Sequence, residues 1–217
     1  MPEIPTIILM TKWQAPGRGK TRLAKNIGIE NTFLIQKKLI KHSLSVLNLV
    51  SDNKEATIKI AVSGIGEKKC KKIQREYQFA KITRQGPGNL GVKIKRELEK
   101  NRIGNHAYKS KRKCFTTIFI GTDLPDLTHL DLQIALHKLK SHDMVIGPST
   151  DGGYWLIGFS SNYLSNFLIW PFCGINWGEN NVFSSTIKKA KENKVNFFIL
   201  NFKNDIDNIN DLKPWVN

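Results

Sequence analysis

Five loops of the chain concentrate the residue types that handle phosphate groups and metal ions. The first, Ala15-Pro16-Gly17-Arg18-Gly19-Lys20-Thr21-Arg22-Leu23, holds two glycines and places three cations within five residues. Glycines let the backbone approach a ligand closely, and free N–H groups at a helix start attract phosphate. The loop is not a P-loop, because that motif needs glycine five positions before its Gly-Lys pair and Gln14 stands there. A phosphate cradle and a plain basic loop leading into a helix both remain open. The second loop, Gly86-Pro87-Gly88-Asn89-Leu90-Gly91, meets the G-x-G-x-x-G pattern. A dinucleotide site also needs an acidic residue about twenty positions on, and the basic run Lys109 to Lys113 lies there instead. A glycine-rich active-site loop without dinucleotide chemistry is the better reading.

The third loop, Gly121-Thr122-Asp123-Leu124-Pro125-Asp126-Leu127, carries a carboxylate fixed by a proline-containing turn. Such a carboxylate suits Mg²⁺ or Mn²⁺, which take oxygen ligands. Turn capping is the alternative for Asp123. For Asp126 a favourable position before a helix N-terminus is explanation enough. The fourth loop, Gly147 to Tyr154, contains Asp151-Gly152-Gly153, which alone reads as a hairpin turn. The fifth, Asp205-Ile206-Asp207-Asn208-Ile209-Asn210-Asp211-Leu212, offers either a second metal carboxylate or a helix cap at Asp207 or Asn208. Other chemistries find less support. The five histidines are scattered without ligand spacing, and no Ser-His-Asp arrangement stands out. Cys70, Cys114 and Cys173 are odd in number and far apart, so they read as free thiols of a reducing compartment.

These loops need elements to hold them, and the chain supplies alternating ones. Thr6–Lys12, Thr57–Ser63, Phe79–Thr83, Phe115–Ile120, Asp143–Gly147, Gly153–Phe159 and Val195–Leu200 read as strands. Helical spacing covers Thr32–Val50, Glu67–Gln78, Leu90–Arg102, Thr128–Lys140, Glu179–Glu192 and Ile209–Trp215. Thr128 with Asp131 makes a capping box. The gap between the fifth and sixth strands is too short for a crossover helix, which predicts an antiparallel pair there. The alternation predicts one domain over residues 1–217, a three-layer α/β/α sandwich with a mostly parallel mixed sheet. Ligands of such sheets bind outside the carboxyl ends of the strands, and all five loops follow strands.

The bulk composition narrows the partners. The net charge is +16, yet lysine outnumbers arginine 27 to 7 and the basic runs lack interleaved aromatics. Arginine is the better reader of phosphate and base edges, and aromatics stack bases. The charge therefore reads as solvated lysine faces that draw small anions, rather than as a nucleic-acid surface. No apolar run is long enough for a membrane helix, and Met1 to Pro5 lacks a signal-peptide start. A cytoplasmic location is the expectation.

Taken in order, APGRGKTRLA, QGPGNLG, GTDLPDLT, GPSTDGGYWLIG, INWGENNV and DIDNINDL resemble a family of small bacterial transferases of the GT-A, Rossmann-like fold. The resemblance runs from Thr6 to Leu212. Members carry the labels glycosyltransferase or radical-SAM/selenodomain-associated transferase, and the family has no assigned biochemical function. It is similar in fold to molybdenum-cofactor guanylyltransferase and 2-phospholactate guanylyltransferase. The resemblance implies that Pro16, Gly17, Arg18, Lys20 and Arg22, with Gly88 and Asn89, bind the nucleotide. It implies a metal, Mg²⁺ or Mn²⁺, on Asp123 and Asp207, with Asp205 behind. It places Asp151, Gly152, Gly153, Tyr154, Trp177 and Gly178 on the acceptor side. Lys20, Arg22 and Asp123 would carry catalysis. Two positions depart from the family pattern: aspartate is expected at Asn89 and threonine at Asn208.

The implied reaction is nucleotidyl transfer from a nucleoside triphosphate to a small phosphorylated or hydroxylated acceptor. Glycosyl transfer from a nucleotide sugar uses the same phosphate and metal site. A catalytically inactive nucleotide- or RNA-binding protein is the reading from another class, consistent with Asn89 and the basic charge.

Overall fold

The computed structural model describes residues 4–17, 19–101, 114–165 and 174–215. The fold grows from the apolar run TIILMTK, which forms strand β1 (Thr6–Lys12) with Ile7, Ile8 and Leu9 all fully buried. Strands buried on both faces carry continuous apolar runs rather than an alternating pattern. The neighbours of β1 are β2 (Thr57–Ser63) and β4 (Thr117–Ile120), both parallel to it. Beyond β2 lies β3 (Ala80–Arg84), also parallel. On the other side β6 (Tyr154–Phe159) runs antiparallel between β4 and β5 (Met144–Pro148), and β7 (Phe197–Ile199) closes the edge parallel to β5. The seven-stranded order is β3-β2-β1-β4-β6-β5-β7. The antiparallel β5–β6 pair is the one that the short connection required.

The helices are α1 (Thr21–Ile27), α2 (Ile29–Asp52), α3 (Glu67–Glu76), α4 (Leu90–Lys100), α5 (His129–Lys138), α6 (Ser161–Ser165), α7 (Val182–Glu192) and α8 (Ile209–Leu212). They cover the sheet from both sides. One core joins Leu9, Ile60 and Ile118 to Leu47 of α2, Ile73 of α3 and Leu132 of α5. The other joins Ile8, Phe119 and Ile157 to Ile94 of α4 and Ala190 of α7. Successive strand residues point to opposite faces, so Ile7 and Leu9 feed one core while Ile8 feeds the other. The result is the three-layer α/β/α arrangement.

Several boundaries differ from the sequence expectation. Two helices, not one, follow the first loop, separated at Gly28 with φ 82. That left-handed backbone suits glycine and turns the chain before α2 begins. The last helix stops at Leu212 and tightens into a 3-10 turn, Lys213–Trp215. Pro214 contributes to this: it lacks the N–H that would continue the α-helical hydrogen bonding. The short α6 was not anticipated, because SNYLS is too brief to show a period. The capping box at the start of α5 is present, with Thr128 and Asp131 exchanging hydrogen bonds. The basic run Lys109 to Lys113, His106 and Cys173 lie outside the described residues.

Candidate functional site

Crossovers run outward in opposite directions from β1 and β4, and a crevice opens where they part. A cavity of about 480 Å³ occupies that place. All five loops reach it: Gly19 and Lys20 after β1, Gly88 and Asn89 after β3, Thr122 and Asp123 after β4, Asp207 after β7, and the last residue of the fourth loop, Tyr154. The reversed strand β6 starts where its parallel neighbours end, so its first residue, Tyr154, also lines the cavity.

Lys20 organises the floor. It is the N-cap residue of α1, with φ 44 and ψ 45. A non-glycine residue in that left-handed region costs about 1 to 3 kcal/mol and marks a position held by its surroundings. Its side chain is only 5% exposed. The ammonium lies 2.9 Å from Asp123 Oδ1 and 3.8 Å from Asp207 Oδ1, and it donates to the carbonyl of Ile206. The backbone reinforces the contact, since Ile206 N–H donates to the Asp123 carbonyl at 3.0 Å. Two loops far apart in sequence are thus tied around one buried cation. Both carboxylates stay nearly half exposed, at 48% and 42%.

Behind them stands Asp205. Burial, then the charge of Asp151, and then those of Asp207 and Asp123 push its carboxyl up to about 6. Negative charge therefore exceeds what Lys20 neutralises. The opposite wall shows the converse. Lys93 of α4 lines the cavity with Lys12. Burial first, then the charges of Lys12 and Arg96, hold its ammonium below the usual lysine range. One cavity thus joins crowded carboxylates to crowded ammonium groups, an arrangement suited to a polyanion accompanied by a cation. Asp123 and Asp207 are the pair that could share that cation. Their oxygen donors, two carboxylates on one positive charge, match the one or two that Mg²⁺ uses alongside substrate phosphates and water. Among the described residues no group of three or more acidic, histidine or cysteine side chains forms a ready-made metal cage.

The family model for an uncharacterized protein conserved in bacteria, DUF2064, matches residues 46–179. The chain belongs to the DUF2064 family. No curated protein matches the sequence. Among solved structures, a protein of Desulfovibrio desulfuricans G20, assigned as a nucleotide-diphospho-sugar transferase, is 27% identical with a TM-score of 0.79, over 95% of this chain and 84% of its own. The inositol-1-phosphate CTP transferase of T. maritima is 12% identical with a TM-score of 0.54, over 98% of this chain and 93% of its own. The 4-diphosphocytidyl-2C-methyl-D-erythritol synthase of Anaerococcus prevotii DSM 20548 is 11% identical with a TM-score of 0.53, over 96% and 95%. The last two likenesses are of fold. This DUF2064 chain has the fold of the nucleotide-diphospho-sugar transferases.

The remaining residues singled out in the sequence are placed as follows. Pro16 and Gly17 are exposed and do not line the cavity, and Arg18 lies outside the described residues. Arg22 is 77% exposed and reaches Asp207 Oδ2 at 3.8 Å, which puts it on the rim. Asn89 accepts from Val92 N–H at 3.0 Å and so caps α4. Asn208 caps α8 in a capping box with Asp211. Both departures from the family pattern sit where asparagine caps as well as aspartate and better than threonine.

On the acceptor side, Asp151 is engaged within its own turn. Ser149 donates to its Oδ1 at 2.5 Å and Gly153 N–H at 2.8 Å. Gly152 is obligatory, because a Cβ there would fall 1.8 Å from the carbonyl oxygen of Asn180. Trp177 lies against Gly91 and meets Tyr154 edge-on, with ring centroids 6.4 Å apart. Asp151, Gly152, Gly153, Trp177 and Gly178 stand outside the cavity wall, and Tyr154 is the member of this group that lines it. Its hydroxyl is buried with no hydrogen-bond partner, and burial holds the phenol protonated far above the usual tyrosine range.

Sequence reasoning missed Lys12, Lys93 and Gln85. Gln85 is buried and donates to the carbonyls of Thr11 and Ala61 at 3.0 and 2.7 Å, which pins the ends of β1 and β2 beside the cavity. Lys12 ends β1 directly before the first loop, a position that could have marked it. Lys93 is one of many helix lysines and carried no signal.

Proposed function

We propose that this chain is a metal-dependent transferase that moves a nucleotidyl group from a nucleoside triphosphate to a small phosphorylated or hydroxylated acceptor. The observation that carries the reading is Lys20, held in a strained backbone between Asp123 and Asp207 where the sheet's crossovers part. The names of two neighbours in fold, a CTP transferase and a diphosphocytidyl synthase, agree with it.

In this reading an acceptor oxygen attacks the α-phosphorus. A new P–O bond forms, the bond to the β-phosphate breaks, and pyrophosphate leaves with the electron pair. Lys12 and Lys93 draw the triphosphate into the cavity, and its negative charge relieves their mutual repulsion. Lys20, fixed through Ile206 and Asp123, presents its remaining donor capacity to the phosphates without reorganising, and such preset charge is what stabilises a phosphoryl transition state. The buried Tyr154 hydroxyl has no hydrogen-bond partner, so a ligand group that displaced its cover beside β6 would find a donor there. Asp123 and Asp207 would hold Mg²⁺ or Mn²⁺, which screens phosphate charge and polarises phosphoryl oxygens.

A second reading, glycosyl transfer from a nucleotide sugar, is favoured by the assignment of the Desulfovibrio relative. The same phosphate contacts serve it, with a nucleoside diphosphate as the leaving group.

Thermal unfolding against nucleoside triphosphates and nucleotide sugars, each with and without Mg²⁺, separates the two. A ligand at a hundred times its Kd adds about 2.7 kcal/mol, which raises Tm by roughly 5 to 10 °C in a chain of this size. The expected result is a metal-dependent rise with triphosphates that Asp123→Ala abolishes while its own fold persists. A rise unchanged by Asp123→Ala, or none with either donor class, overturns the assignment.

A further inference from the structure

The cavity at Lys20 and Asp123 continues on its α2 side. A second cavity, of about 910 Å³, adjoins it, and Thr11, Lys12, Trp13, Gln14 and Ile40 line both. It runs beneath α2 toward the end of α3. Leu9, Ile60 and Val62 of the sheet form its floor, and Leu44, Ile73 and Phe79 its sides. These six side chains offer water no hydrogen bonds, Thr11, Gln14, Ser45, Asn48 and Tyr77 add polar groups to the rest of the lining, and the volume lies within the range of ligand sites. Lys12, Lys37, Lys38 and Lys41 also line it, against a single acid, Glu76. An apolar interior with an excess of cations suits a molecule that is hydrocarbon at one end and anionic at the other.

We propose that the acceptor is an amphipathic anion, a hydrocarbon chain ending in a phosphate. The chain would lie beneath α2, and the phosphate at the shared mouth beside Lys12. The inference deepens the nucleotidyl-transfer reading and rests on it. In the balanced reaction, a phosphate oxygen of the acceptor bonds to the donor's α-phosphorus as the bond to the β-phosphate breaks. Pyrophosphate leaves with the electron pair, and the product is a nucleoside diphosphate ester of the chain. Continuity with the first cavity is what selects this occupant over a ligand unrelated to the reaction. A bound molecule with its head at Lys12, the one cation that lines both cavities among the described residues, reaches both spaces.

The test titrates the full chain with n-alkyl monophosphates from butyl to dodecyl, kept below their micelle concentrations, by calorimetry. Affinity is expected to rise about fourfold per added methylene until the cavity is filled. Dodecyltrimethylammonium, of the same length and opposite charge, should bind at least tenfold more weakly than dodecyl phosphate. Leu44→Trp, which fills the cavity, should flatten the chain-length dependence. The double variant Lys37→Glu with Lys41→Glu reverses two exposed charges on the α2 wall of the cavity and leaves the packed core alone, so it tests the charge even if the tryptophan variant fails to fold; it should weaken dodecyl phosphate about tenfold. Affinity independent of chain length, equal binding of the cationic amphiphile, or a double variant that binds like the native protein overturns the proposal. Stabilisation by the nucleoside triphosphates with Mg²⁺ is measured on the same samples. If it persists without chain-length dependence, the transferase reading stands and the amphipathic acceptor falls; the reverse result removes the transferase reading and the acceptor role with it, leaving a site for an amphipathic anion.

Discussion

Two lysines of this chain make nearly the same set of contacts. Lys20 lies between Asp123 and Asp207 and donates to a backbone carbonyl. Lys203 lies 3.4 Å from Asp126 and 3.1 Å from Asp131, and donates to the Asp126 carbonyl at 3.0 Å. Both are buried, at 5% and 11% exposure. The difference is in what else the carboxylates do. Asp131 is committed to the capping box of α5, accepting from Thr128 N–H at 2.8 Å. Asp126 has one oxygen buried with no hydrogen-bond partner. At Lys20 the carboxylates face an open cavity, and the lysine backbone itself is strained. Equal contact lists can thus describe a staple or a site. Carboxylates left open to a cavity, together with tolerated backbone strain, tell them apart.

The comparison breaks most visibly at Lys203. Lys203→Met keeps the stem and removes the charge, leaving Asp126 and Asp131 unpaired at partly buried positions. Loss of one partner of such a pair costs about 3 kcal/mol, so Tm should fall by about 6 to 12 °C. Nucleotide binding should be unchanged once the protein is folded. If Lys203→Met instead abolishes nucleotide binding at full stability, the distinction between staple and site fails.

Lys20→Met is the mirror experiment. Its carboxylates are nearly half exposed and rehydrate when the ammonium is lost, so stability should change by no more than about 1 kcal/mol. Affinity for a nucleoside triphosphate with Mg²⁺ should drop at least tenfold, because a charge-assisted phosphate contact goes with it. Calorimetry reads the affinity and thermal unfolding the stability. A large loss of Tm with intact binding would class Lys20 with Lys203.

Much of this contrast was legible in the chain. The loop GTDLPDLT contains one aspartate of each kind. Thr128 with Asp131 made a capping box readable, and Asp126, just before that helix start, read as favouring its dipole. The strands were legible because TIILMTK and TIKIAVS are unbroken apolar runs with clear ends, and the antiparallel β5–β6 pair followed from the length of its connection. What stayed hidden depends on distance across the fold. Lys12 and Lys93 are brought together by the packing of α4 against the sheet. Lys203 meets Asp126 from the far side of the chain. The cavity beneath α2 is set by how closely that helix sits on β1 and β2, which the spacing of its apolar residues does not encode. Asn89 read as a lost carboxylate, and its cap geometry was not visible until the start of α4 was fixed, whereas a cap at Asn208 was one of two readings the sequence offered.

The smallest effect sharpens the site half of the comparison through pH. The Asp205 carboxyl is raised from its ordinary value of 3.8 to about 6, first by burial and then by Asp151, Asp207 and Asp123. A carboxyl that holds its proton more tightly in the folded state stabilises that state fully below pH 4. This contribution is lost as pH rises through about 6, when the folded protein must carry the extra charge. Asp205→Asn removes the crowding without changing shape. Above pH 7 it should stabilise the protein by about 1 to 2 kcal/mol after allowance for partial solvent screening, a Tm gain of about 3 to 6 °C. At pH 4 the native and variant proteins should unfold together. Asp126→Asn instead removes a carboxylate paired with the Lys203 ammonium, so it should give no such gain at pH 7. Equal gains at both places would mean that the crowding of charge at Asp205 is a general property of this surface and not a mark of the site.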